Sequence, residues 1–135
     1  MSATYEKLDD KLIAFIGRQK MFFVASAPLS ADGSVNLSPK GYDSFVVIDP
    51  MTVAFLDLGG SGVETIAHLK ENGRITLMFC AFDGPANILR LYGRGEATTL
   101  DQPGFAELLK LFPAECCGSA PGVGLTLLLR PWAGL

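Results

Sequence analysis

Histidine and cysteine are scarce in this chain: one histidine, His68, and three cysteines, Cys80, Cys116 and Cys117, in 135 residues. An odd cysteine count with an adjacent pair makes no disulfide framework, and no C-x-x-C spacing offers a metal site. Adjacent cysteines close a strained ring, so Cys116 and Cys117 read as free thiols in a reducing compartment. Positive charge is also in deficit. With 11 Lys+Arg against 14 Asp+Glu the formal charge is -3, which gives no electrostatic basis for nucleic acid or an anionic membrane as partner. No apolar run approaches bilayer length, and the amino end MSATYEKLDDKL carries charges where a signal peptide needs a greasy core. A cytoplasmic protein is expected, and the sequon Asn36-Leu37-Ser38 is then a chance match. No Walker loop, no G-x-G-x-x-G, no Ser/His/Asp arrangement and no paired carboxylates stand out, so hydrolysis has no visible machinery.

What is abundant is apolar surface. Hydrophobic residues make up 49% and charged residues 19%, with a mean hydropathy of +0.32, which excludes global disorder. The length fits one domain over 1–135, and part of the apolar excess is expected to meet a partner. Tyr5 to Arg18 reads as an amphipathic helix, with Leu8, Leu12, Phe15 and Ile16 on one stripe. Met21 to Ala27 and Val35 to Ser38 flank Asp32-Gly33 turn chemistry and form a hairpin. Pro39 and Gly41 are expected to interrupt that ladder around Lys40. Ser44–Ile48 and Thr52–Leu58 follow as strands across Asp49-Pro50. A helix then opens at Ser61 with a capping box to Glu64, turns Val63, Ile66, Ala67 and Lys70 inward, and stops at Asn72-Gly73. Arg74 to Phe82 is apolar enough to be covered on both faces. Ile88 to Thr99 alternates, with two glycines read as bends, and Gln102 to Phe112 reads as a last helix starting at Pro103.

Three features carry chemistry. The strand, Gly59-Gly60-Ser61-Gly62, helix succession places free amides and a helix dipole where an anion such as phosphate can bind, although a plain strand-to-helix turn accounts for the glycines equally well. Ser38 and Lys40 stand where the broken ladder leaves a hydroxyl and an ammonium facing a ligand or solvent. Arg90 and Arg94 point the same way from one strand and could hold an anion, although Glu96 on the same face makes an ordinary ion-pair row the better account. His68 falls on the exposed side of its helix by spacing.

Taken in order, FFVASAPLSADGSVNLSPKG, MTVAFLDLGG, SGVETIAHLKENGRITLMF and ILRLYGRGEA resemble the pyridoxamine 5'-phosphate oxidase-like, FMN-binding split-barrel family over roughly residues 10 to 112. The resemblance implies an α+β fold, a six-stranded antiparallel split β-barrel with flanking helices, forming a homodimer with FMN in clefts between subunits. It places Asn36, Leu37, Ser38, Pro39, Lys40 and Gly41 along the flavin ring and ribityl chain. Asp57, Leu58 and Gly59 flank the ring edge, Ser61, Gly62 and Thr65 approach the phosphate, and Lys40 is its cation. The implied activity is an FMN-dependent oxidoreductase passing hydride or electrons between flavin and a small-molecule substrate or electron donor, the cofactor bringing the reactivity. A deazaflavin-dependent reductase, or a flavin or haem carrier or sensor of the same fold, are the alternatives. No catalytic residue is assigned. Nothing after Pro113 matches the arginine and histidine with which true vitamin B6 oxidases grip substrate, so pyridoxamine phosphate oxidation is not expected. Residues 113–135 form an atypical tail whose Leu-rich run is expected to dock on the partner subunit.

Overall fold

The computed structural model describes residues 3–57 and 62–113, and the backbone course of 125–131. In chain order these form α1 (Asp10–Arg18), β1 (Met21–Ser26), β2 (Asn36–Gly41), β3 (Phe45–Asp49), β4 (Thr52–Asp57), α2 (Gly62–Glu71), β5 (Arg74–Cys80), β6 (Ile88–Thr98), α3 (Phe105–Leu109) and β7 (Leu125–Pro131). The strands join in one antiparallel sheet of order β2-β1-β5-β6-β7-β4-β3. β1 and β3 stand near opposite ends of that order, yet the rings of Phe22 and Phe45 lie 5.3 Å apart. The sheet is therefore curled until its ends share one core, with Phe55 of β4 and Phe79 of β5 completing an aromatic cluster against Phe22. Edge-to-face contacts dominate the cluster, as the ring quadrupole favours.

Alternation explains most of the wall. In β1 and β6 every second residue is buried, and β5 follows the same rule with its outer residues half-covered. β4 differs, because five consecutive residues from Val53 are buried. Val53 and Phe55 face the main core, while Ala54 and Leu56 face a second cluster with Phe105 and Phe112 around α3. The strand covered on both faces is thus β4, and not the 74–82 run for which the sequence suggested it.

The hairpin β1–β2 forms as expected, but its ladder does not stop at Ser38: Pro39 pairs with Phe23, Lys40 with Phe22 and Gly41 with Met21. β2 is an edge strand, where half of the N–H positions face no neighbour, so a proline costs the ladder nothing. The Asp49-Pro50 turn is closed by the Met51 amide donating to Asp49 Oδ1 at 2.8 Å.

The helices are shorter than their sequence stripes. α1 begins at Asp10, because the Asp9 carboxylate accepts the Leu12 amide (2.8 Å) and caps it; Leu8 precedes the cap, its amide bound to the Pro50 carbonyl. α2 buries Gly62, Thr65 and Leu69, whereas Val63 and Ala67 are exposed, so its inner face is rotated from the expected one. The reason is β6: a Cβ on Gly95 would come within 2.9 Å of Leu69 Cδ2, so the glycine clears room for that leucine and is not a bend by itself. α3 starts at Phe105 and not at Pro103, after Gly104 in the left-handed region. Seven strands replace the expected six. The Leu-rich segment of the tail is β7, which pairs with both β4 and β6 and closes the sheet. Cys116 and Cys117 lie outside the described residues. No helix among those described is long and apolar enough to cross a membrane.

Candidate functional site

The period of two along β2 sorts the expected ligand-binding residues into two sets. Asn36, Ser38 and Lys40 face inward; Leu37, Pro39 and Gly41 face outward, Leu37 being 66% exposed. The three inward side chains have different fates. Asn36 Nδ2 donates to Thr65 Oγ1 at 2.9 Å, a buried contact joining β2 to α2. Lys40 Nζ donates to Asp57 Oδ2 at 3.2 Å, with the carboxylate only 2% exposed. Ser38 Oγ, between them, is buried and has no hydrogen-bond partner. Its cross-strand row explains why: Val24, Leu77 and Leu91 continue it through β1, β5 and β6, and all are apolar core residues. Leaving a buried hydroxyl unpaired costs about 1–3 kcal/mol, which makes this atom an anomaly unless a further donor or acceptor reaches it.

Lys40 is therefore not free to face a ligand unopposed, as the sequence suggested. Asp57 also lies against the start of α2, for a methyl group on Gly62 would overlap its carboxylate. Only glycine fits there, and the close approach sets a negative charge at the positive end of the helix. Asp57 thus sits between the Lys40 ammonium and the first turn of α2, the two cationic features the sequence nominated for phosphate.

Beyond the end of β2 the chain passes through Tyr42 (φ 61°) and Asp43 (φ 55°), two successive non-glycine residues in the left-handed region. Such residues carry strain and persist only where the surroundings fix them. Here Ser44 does so, its carbonyl accepting the Leu56 amide at 2.8 Å. This turn forms one wall of a cleft of about 680 Å³. Pro39, Lys40 and Gly41 supply a second wall, Leu56 and Asp57 a third, and Lys20 with Met21 the fourth. The volume lies within the range of about 300–1,000 Å³ usual for small-molecule sites.

Of the twelve residues expected at a cofactor, Pro39, Lys40, Gly41 and Asp57 line the cleft, Gly62 abuts Asp57, and Ser38 is buried two residues before Lys40 on the same side of β2. Asn36 and Thr65 are spent on each other, and Leu37 is on the other face. Leu58, Gly59 and Ser61, and with Ser61 the expected capping box, lie outside the described residues. Sequence reasoning missed Lys20, Met21, Tyr42, Asp43, Ser44 and Leu56. The one available signal was Asp43, since Asp is among the residues that tolerate positive φ. His68, expected on the exposed side, is partly buried with Nδ1 2.8 Å from Ser26 Oγ, away from the cleft. Arg94 reaches the Asn72 carbonyl (3.2 Å) just past the end of α2. Among the described residues no group of three or more His, Cys, Asp or Glu is placed to hold a metal.

This architecture recurs in known proteins. An FMN-binding protein from Syntrophomonas wolfei superposes with a TM-score of 0.62 at 14% identity, covering 90% of this chain and 82% of that one. HutZ, a haem storage protein from Vibrio cholerae, gives 0.63 at 17% identity over 95% and 92% of the two chains. In sequence, ustO of Aspergillus flavus, a pyridoxamine 5'-phosphate oxidase family protein, is 46% identical over 112 residues, 82% of this chain. The chain spans 45% of the length of that curated relative. Residues 8–122 match the family profile described as pyridoxamine 5'-phosphate oxidase, and the chain belongs to that family.

Proposed function

We propose that the cleft binds FMN and that the protein is an FMN-dependent oxidoreductase acting on a small molecule. The observation that carries this is the convergence of Pro39, Lys40, Gly41 and Asp57 on one cleft of about 680 Å³. The residues fit the group. Pro39 and Met21 offer apolar surface for a planar heterocycle. Lys40 has three N–H donors, of which one goes to Asp57, leaving others for a phosphate. Flavin would supply hydride and electron transfer; the protein's part is to hold and orient it and to exclude water. The FMN-binding relative of the same fold supports this reading.

The same reading makes the molecule a homodimer. The outer face of the sheet carries two cross-strand rows, Leu37-Ala25-Thr76-Tyr92 and Pro39-Phe23-Met78-Arg90. Leu37 and Tyr92 are more than half exposed, an apolar area that a second copy would cover.

The absorption spectrum of the freshly purified protein tests the proposal. Flavin bands near one per subunit, or stoichiometric quenching of added FMN fluorescence, are expected, followed by anaerobic bleaching with NADH or NADPH. A Soret band from haem, or a colourless protein that ignores added FMN, would overturn it.

A further inference from the structure

We propose that Asp57 is a built-in counter-charge that sets the ligand-charge preference of the cleft, lowering its selectivity for a phosphorylated over an unphosphorylated ligand. This rests on the flavin reading above and adds to it a discriminating residue. The Asp57 carboxylate is 2% exposed and takes the Lys40 ammonium at 3.2 Å. It also lies so close to the first residue of α2 that only Gly62 fits beside it. A phosphate entering here seeks the same two groups, and it must approach a resident negative charge that the fold does not release to solvent. Ser38 Oγ, two residues before Lys40 on the same side of β2, is a buried hydroxyl with no partner among the described residues. A neutral hydroxyl terminus meets no such repulsion. The cleft is thereby tuned toward ligands whose affinity comes from ring and hydroxyl contacts more than from phosphate charge.

The test compares FMN with riboflavin by fluorescence titration of the full chain. Wild-type protein should bind the two with affinities within about tenfold, the scale of one charge-assisted contact. Asp57→Asn keeps the shape and removes the charge, and should shift the FMN-to-riboflavin affinity ratio about tenfold toward FMN. An FMN-to-riboflavin ratio that stays within about twofold of wild type in Asp57→Asn overturns the assignment of Asp57, while flavin binding itself stands. Inorganic phosphate in a thermal-shift series repeats the comparison without flavin: Asp57→Asn should be stabilised by phosphate that leaves wild type unmoved. If neither flavin binds but this gain appears, the flavin reading falls and the counter-charge stands; if the gain is absent as well, both fall. Should Asp57→Asn not fold, Lys40→Met reports from the other side. With the Lys40 ammonium gone and the Asp57 charge kept, FMN should bind more weakly than riboflavin, whereas equal affinities would mean that Lys40 alone reads the phosphate and would overturn the proposal.

Discussion

Ser38 concentrates the tension between folding and function in one hydroxyl. Its neighbours across the sheet, Val24, Leu77 and Leu91, offer no hydrogen bond, so in the protein alone the group is desolvated for no return. Ser38→Ala is therefore expected to leave urea-denaturation stability within about 0.5 kcal/mol of wild type or to raise it, while weakening FMN binding several-fold. A loss of about 2 kcal/mol or more with unchanged FMN affinity would show that the hydroxyl serves the fold instead. Lys40 teaches the complementary lesson. Lysine beside proline and glycine was readable as a feature of a site, but its partner was not, because Asp57 lies on another strand and only the curl of the sheet brings the two together.

At the scale of elements, α2 shows how a short helix is fixed. Ten residues are too few to stay helical alone in water, so docking must hold them. Asn36 to Thr65, Ser26 to His68, the Leu29 amide to Glu71 and the Asn72 amide to the Ala27 carbonyl clamp the helix onto the β1–β2 hairpin. Thr65→Val preserves shape but strips the buried Asn36 amide of its acceptor, and should cost about 1–3 kcal/mol by urea denaturation, with faster amide exchange in α2. Loss of less than about 0.5 kcal/mol would mean that the Asn36 to Thr65 contact contributes little to docking. The hairpin itself was legible, because alternation, a DG turn and aromatic residues agree. The inner face of α2 was not, since Val63 and Ala67 fit a helical stripe as well as Thr65 and Leu69 do. What decides is the space above Gly95, which belongs to another strand. The seventh strand was hidden for a different reason: LTLLLRP has no alternation to reveal an extended segment.

For the whole molecule, the outward rows on β2, β1, β5 and β6 mark where a second copy belongs in the proposed dimer. Leu37 is 66% exposed at the centre of the upper row's outer end, so Leu37→Glu should halve the mass seen by light scattering without changing the far-ultraviolet circular dichroism. A wild-type protein that is monomeric at micromolar concentration would remove the dimer and any cofactor contact expected from it.

The position of β7 has a consequence for how the chain is born. Residues 125–131 slot between β4 and β6, strands completed long before them in sequence. During synthesis both of those neighbours wait with open ladder edges, and closure joins segments some seventy residues apart along the backbone for β4 alone, the kind of pairing that slows folding. A ribosome stalled before this stretch would hold a half-zipped cylinder, and chaperone demand should peak in that interval.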